Sequence, residues 1–258
     1  MKKRFLLHVV LTLLITSCGA QTKIIAHRGF SEIAPENTLF SFRKAIDTGA
    51  DYIEFDVHKT KNDSLVVIHD GNVKRTSSEN IDAKVADMNY RELSEIKVGY
   101  PAKFGDKYPD AGIPTLREVL KLARGKVKVC IEIKVYGIEK EVLNMIDEYK
   151  MRNDVIIFSF HYPVLAMIRQ LDKKIPVLLL MNTVDQTTID YAKIINCNAI
   201  GAGYGTKITK NLIDLTHKNH IELWKWTVNK EEEMKELLNL KIDGIITNKP
   251  DVALKLRK

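Results

Sequence analysis

Eight short apolar runs recur along this 258-residue chain, at residues 24–27, 52–58, 127–134, 155–160, 177–181, 199–204, 222–228 and 244–247. Segments with apolar residues at helical period lie between them, among them 38–47, 116–123, 139–149, 164–171, 210–219 and 231–240. A strand that is followed by a helix before the next strand can pair with it in parallel, because parallel neighbours need a crossover of a dozen or more residues. The alternation therefore predicts an α/β fold with a parallel sheet. A closed (β/α)8 TIM barrel accounts for the number eight, which an open doubly wound sheet does not. The length suits one such barrel, and no internal repeat or linker divides the chain.

One further apolar run, 65–69, breaks the alternation. It follows the second strand across Lys61-Asn62-Asp63-Ser64, a turn-forming cluster, and is predicted to fold back as a hairpin. From Gly71 to Ile113 the chain is polar, with Gly99, Pro101, Gly105, Pro109 and Gly112 in its later half. That stretch reads as an insertion after the second strand, above the barrel mouth, where insertions shape the entrance for a ligand.

The N-terminus carries a targeting signal. Met1-Lys2-Lys3-Arg4 is positive, and the apolar run 5–15 is short for a membrane span. Ile15-Thr16-Ser17-Cys18 then resembles a bacterial lipobox, in which the cysteine is lipidated; an ordinary cleaved signal peptide is the alternative. The expected organisation is a signal peptide at 1–17, a lipidated tether at 18–22 beginning with Cys18, and one domain at 23–258. The expected location is an exported lipoprotein on the periplasmic or cell-surface side, touching the membrane only through its anchor. So short a tether reaches less than roughly 20 Å, which would turn the C-terminal end of the barrel away from the membrane. Cys130 lies in a strand-like run and reads as a small core residue, and two cysteines, Cys130 and Cys197, do not by themselves establish a disulfide.

The formal charge of +7 falls to about +4 once the three leader cations are removed. The remaining Lys and Arg are scattered among acids with no basic block, so a nucleic-acid partner is not expected.

The polar residues at strand ends carry the chemistry, because the C-terminal ends of the strands build the site in such barrels. The first strand ends His27-Arg28-Gly29. Glu54 and Asp56, two apart on the second strand, share one face, as do Glu132 and Lys134 on the third. The hairpin returns His69-Asp70 to the same mouth. Three carboxylates from two neighbouring strands form an oxygen-rich set suited to Ca²⁺ or Mg²⁺ rather than zinc. Glu132 with Lys134 also fits an ordinary buried ion pair. Two His, three acids, an Arg and a Lys at one mouth would nevertheless cost more to bury than a fold requires, unless a metal and an anionic ligand compensate.

These residues match a family pattern. His27-Arg28-Gly29, Pro35-Glu36-Asn37-Thr38, Glu54-Phe55-Asp56-Val57-His58, His69-Asp70, Pro114-Thr115-Leu116, Glu132-Ile133-Lys134, Ser159-Phe160, Trp226-Thr227-Val228-Asn229 and Asp243-Gly244-Ile245-Ile246-Thr247 resemble, in order and spacing, the glycerophosphodiester phosphodiesterases. The resemblance implies metal-dependent hydrolysis of a small-molecule glycerophosphodiester to sn-glycerol 3-phosphate and an alcohol. It implies Glu54, Asp56 and Glu132 as metal ligands, His27 and His69 as the acid–base pair, and Arg28 and Lys134 as the groups that neutralise the phosphate. Asn248 and His161 depart from the family pattern, at positions expected to bear on packing or substrate choice.

Other residues admit two readings. His58 shares a strand face with Glu54 and Asp56 and suits either a substrate hydrogen bond or a rim position. Phe160, Tyr204 and Trp226 end strands and suit a pocket wall, though for Tyr204 simple barrel packing is the expected reading. Glu36 and Asn37 either serve the site or cap the first helix, and His161 suits a helix cap. His217 and His220 read as solvated. Two other functions remain open: a phospholipase C- or D-like enzyme acting on membrane lipid, which would need apolar mouth loops, and a phosphodiester-binding lipoprotein without catalysis, which would lack one or both His.

Overall fold

A computed structural model describes residues 21–258; the expected signal peptide and Cys18 lie outside them. Nine strands are present among these residues: β1 (Lys23–Ala26), β2 (Tyr52–Lys59), β3 (Leu65–Val67), β4 (Lys128–Ile133), β5 (Val155–Ser159), β6 (Val177–Met181), β7 (Ala199–Ala202), β8 (Glu222–Lys225) and β9 (Gly244–Thr247). Eight of them pair in parallel, and β1 pairs with both β2 and β9, which closes the barrel. The ninth, β3, lies antiparallel on β2 with Val57 opposite Val67, as the hairpin reading expected. The sixth and seventh barrel strands, β7 and β8, end at Ala202 and Lys225, short of the runs 199–204 and 222–228, because the chain beyond them turns into the mouth loops.

The helices are α1 (Leu39–Thr48), α2 (Tyr90–Glu95), α3 (Pro101–Phe104), α4 (Leu116–Ala123), α5 (Glu139–Glu148), α6 (Tyr162–Leu171), α7 (Gln186–Ile194), α8 (Lys210–Lys218), α9 (Glu231–Asn239) and α10 (Pro250–Arg257). Their starts are chemically specified. The Thr38, Thr115 and Asp185 side chains accept the third amide of α1, α4 and α7, and each third residue reaches back to its cap. No helix among the described residues is long and apolar enough to cross a membrane.

Strand alternation divides the core in two. Residues facing outward, such as Ile53, Phe55, Val57, Ile131 and Ile133, pack against the helices. The inward row, which includes Ile25, Tyr52, Cys130, Phe158, Leu178 and Trp224, fills the lumen. Cys130 is thus in the lumen and Cys197 in the outer layer, both buried and unpaired. Burial raises both thiols, Cys197 to about 12, so neither is reactive near neutrality.

The stretch 71–113 is not merely a polar loop. Val73, Val85, Leu93, Ile96, Val98 and Ile113 join Val66 and Ile68 in a separate small core beside β3. Its strand bridges, Asn72 with Lys84 and Lys97 with Gly112, hold a compact cap at the barrel mouth.

The lumen leaves no space at Gly244, where an added Cβ would stand 2.5 Å from Trp224 Cδ2. Gly244→Ala should therefore cost about 1–3 kcal/mol in urea unfolding, with Trp224→Leu partly restoring it. An unchanged urea midpoint for Gly244→Ala would show that β9 and Trp224 are not packed as described.

Candidate active site

The chain beyond β1 makes a tight turn that fixes the first site residues. Arg28 adopts a left-handed backbone with φ 54°, and its amide donates to Glu54 Oε2 at 2.8 Å. Gly29 follows at φ +80°, where a Cβ would lie 2.5 Å from Ser41 Oγ, so the third position of His-Arg-Gly excludes any side chain. Asn37, also left-handed at φ 56°, donates its amide to the Arg28 carbonyl and its Nδ2 to Asp56 Oδ2 at 2.8 Å. It therefore serves the site, while Thr38 caps α1.

Parallel pairing sets Asp56 beside Glu132 on β4 and Glu54 beside Cys130. Oxygens of Glu54, Asp56 and Glu132 converge within 4.8 Å of one another, all three buried. Lys134 Nζ contacts Glu132 at 2.7 Å and Asp56 at 3.3 Å, and Arg28 Nε lies 3.5 Å from Asp56. Two cations thus meet three carboxylates. Burial, then the negative neighbours, lift Glu132 to about 7 and hold Glu54 well above the usual carboxylate range. Arg28 and Lys134 outweigh burial at Asp56 and hold it low. Asp56 Oδ1 and Arg28 Nε nevertheless have no hydrogen-bond partner. A buried all-oxygen set with an orphaned carboxylate oxygen fits a divalent cation.

The two His stand at the same cavity, which measures about 280 Å³. His27 Nδ1 lies 2.7 Å from Asn248 Oδ1. With that oxygen as acceptor, Nδ1 carries the proton and Nε2 is left with a lone pair. Burial, then Arg28, push its pKa down to about 3, so the ring is neutral near pH 7. Asn248 therefore orients a site imidazole, a role beyond the packing or substrate choice expected of it.

His69 Nδ1 bonds Asp70 at 2.6 Å, and Asp70 in turn accepts from Arg75 Nε at 2.6 Å. Burial lowers the His69 pKa, with Asp56 and Asp70 opposing. Arg75 comes from the cap and grips Glu36 through two further bonds of 2.8 and 2.9 Å, while Glu36 pairs with Arg28 at 2.8 Å. Arg28 and Arg75 hold the Glu36 carboxyl down to about 2. A hydrogen bond followed by a chain of ion pairs therefore joins His69 to Arg28 across the mouth. Arg75 escaped the sequence reading because it lies in a polar stretch, and only its position six residues after His69 connected it with the site.

The far wall is aromatic. Trp226 meets Phe160 at 5.2 Å and Tyr204 at 6.0 Å between ring centroids, both edge to face. Tyr204 is 71% exposed at the mouth, so the packing expected of it is not observed, because β7 ends before the chain reaches it. Thr227, Asn229 and Asn248 complete the wall with polar groups. His58 does not line the cavity; its Nε2 bonds the His69 carbonyl at 3.1 Å and braces that loop. The His161 side chain does not cap α6 but contacts the Tyr136 hydroxyl at 3.0 Å. His217 pairs with Asp243 at 2.8 Å, and His220 is exposed.

Because Glu132 holds its proton up to about pH 7 and burial raises Glu54 as well, a cation binding these carboxylates must expel protons. Apparent affinity for Ca²⁺ or Mg²⁺ should fall as pH drops below about 7, by up to about tenfold per unit for each proton released. Titration calorimetry at pH 6 in buffers of different ionisation heat should register that release. Glu54→Gln, Asp56→Asn and Glu132→Gln should each lose saturable binding while the chelated protein melts no lower than wild type. Strong destabilisation of all three variants in chelator would instead mark Glu132 and Lys134 as a purely structural pair.

Residues 27–252 match the model of the glycerophosphoryl diester phosphodiesterase family. A glycerophosphodiester phosphodiesterase of Bacillus altitudinis is 36% identical over 249 residues, covering 92% of this chain and 98% of its own. The crystal structure of a glycerophosphodiester phosphodiesterase from Agrobacterium tumefaciens superposes with a TM-score of 0.81 at 25% identity, covering 91% of this chain and 99% of the other. An Oleispira antarctica phosphodiesterase, solved in complex with the product sn-glycerol-3-phosphate, shares the fold with a TM-score of 0.81 at 22% identity, over 92% and 96% of the two chains. With its barrel, acidic cluster and paired His in place, the chain belongs to the glycerophosphoryl diester phosphodiesterase family.

Proposed function

We propose that this glycerophosphodiester phosphodiesterase works with a divalent cation, Ca²⁺ or Mg²⁺, held by Glu54, Asp56 and Glu132, and with His27 and His69 as its acid–base pair. The observation that carries the proposal is one cavity lined by Glu54 and Glu132, with Asp56 buried behind them and oxygens of all three within 4.8 Å of one another, beside two imidazoles, each tied at Nδ1. When bound, the cation supplies Lewis-acid stabilisation of the phosphoryl oxygens. Arg28 and Lys134 neutralise the diester's charge and the further charge that gathers on its equatorial oxygens in the transition state. One imidazole takes the proton of the attacking water as the new P–O bond forms. The other gives a proton to the departing alcohol oxygen as the old P–O bond breaks. Asn248 and Asp70 tie the rings at Nδ1, so each presents Nε2 to the reacting groups, as a lone pair in the base and as the N–H of an imidazolium in the acid.

The glycerol carbons fit against Phe160 and Trp226, with the hydroxyls toward Thr227, Asn229 and Asn248. The product seen in the Oleispira enzyme supports sn-glycerol 3-phosphate as the retained half. A soluble substrate is favoured over membrane lipid because none of the strongly exposed large hydrophobic residues falls within 71–113. The proposal extends to location: an exported protein lipidated at Cys18, which lies outside the described residues.

His27→Ala and His69→Ala should each lower kcat by roughly two to four orders of magnitude in a coupled glycerol 3-phosphate assay, with melting temperature little changed. Near wild-type turnover by either variant would remove that residue from the acid–base pair. Glycerophosphocholine should be cleaved far faster than phosphatidylcholine in vesicles; the reverse order would favour the phospholipase reading.

Arg75→Ala should lower kcat about tenfold and displace the pH profile of kcat, with KM and metal titration nearly unchanged, because it frees Asp70 and hence His69. An unaltered pH profile would assign Arg75 a structural role only.

A further inference from the structure

The segments that lead into β4 through β9, at residues 124–128, 150–154, 172–176, 195–198, 218–222 and 240–243, hold nine Lys and Arg against four Asp and Glu. Because the barrel strands are parallel, all six segments lie at the end opposite the active-site cavity. The mouth-side stretch 59–115, by contrast, holds nine of each sign.

The acids at the basic end are mostly occupied within the fold. Asp172 accepts from the amides of Lys174 and Ile175 and pairs with Arg152. Asp243 accepts from the Leu223 amide and His217, and Glu222 pairs with Lys23 at 2.8 Å. Asp154 is the exception. Of the cations, Arg152 is occupied by Asp147 and Asp172, but Lys126, Lys150, Lys173, Lys174, Lys218 and Lys241 are exposed, and none of these six forms an ion pair among the described residues.

Two apolar side chains share this end. Leu171 closes α6 two residues before Lys173, and Ile194, 72% exposed, closes α7. Gln21, where the described chain begins, lines a depression of about 530 Å³ here with Lys23, Lys126, Lys128 and Arg257.

We propose that this end of the barrel is a docking face for an anionic lipid surface. Lysines spread around a barrel end meet a planar charged surface together, whereas a duplex would touch only one side of the ring. The bare Leu171 and Ile194 side chains suit an interface with acyl chains and gain nothing against phosphodiester backbones. The orientation leaves the cavity facing away from the lipid. It does not depend on lipidation of Cys18, and the test removes that residue.

The chain from Gln21 to Lys258 contains every strand of the closed barrel, so it is the unit to sediment with vesicles. It should bind phosphatidylcholine vesicles containing about 30% phosphatidylglycerol at low salt, ignore pure phosphatidylcholine, and release in about 0.5 M NaCl. The combined variant Lys126→Glu, Lys173→Glu, Lys174→Glu and Lys241→Glu should bind at least about a hundredfold more weakly, at roughly fivefold or more per charge. Its glycerophosphocholine turnover should be unchanged, which verifies the fold. Ile194→Ser should weaken binding several-fold without altering the salt dependence. Failure of the wild type to bind anionic vesicles, or equal binding by the fourfold variant, would overturn the proposal. So would tighter binding of duplex DNA than of vesicles.

Discussion

Glu54, Asp56 and Glu132 repel one another where little of them is exposed to water, and much of the mouth is organised around that repulsion. At 4.8 Å and an effective dielectric of about 20, each pair of full charges costs about 3 kcal/mol. Arg28 and Lys134 offset part of this, and two of the three acids respond by holding protons toward neutral pH. The parallel register forces the situation: Asp56 and Glu132 are direct neighbours across β2 and β4, so neither can turn away without moving a strand. A divalent cation held by these carboxylates, as proposed, would relieve the repulsion and so favour the folded state.

The same logic reaches outward to the imidazoles. Arg28 pairs with Glu36, Glu36 with Arg75, Arg75 with Asp70 and Asp70 with His69, so a single run of charges links the first strand to the cap. The cap has its own apolar core, which gives Arg75 a fixed platform. The insertion thereby contributes to the geometry of the site as well as to its entrance. His27 depends on a different support, the Asn248 side chain just beyond β9, so the two rings are held by opposite sides of the barrel closure.

The two ends of the barrel have divided their charges. Mouth loops mix signs and form networks, whereas the opposite end displays lysines without partners among the described residues. The site and this surface do not compete, because the packed lumen, with Trp224 and Phe158 at its centre, lies between them.

The sequence by itself determined the class of fold, the hairpin at 65–69 and which polar residues gather at the barrel mouth. Each of these rests on local periodicity or on residues at strand ends, and a strand's alternation decides which side chains point inward regardless of what surrounds it. Register and closure lay beyond that reading. The pairing of Asp56 with Glu132, the grip of Arg75 on Asp70 and Glu36, and the support of His27 by Asn248, 221 residues away, exist only once β1 meets β9 and the cap folds over the mouth. Tyr204 moved from the barrel to the rim for the same reason, since the end of β7 is set by its neighbours. The lysines make the clearest case. Spaced roughly one βα unit apart, they are scattered in sequence and form no basic block, yet parallel winding returns every unit to the same end and gathers them on one face.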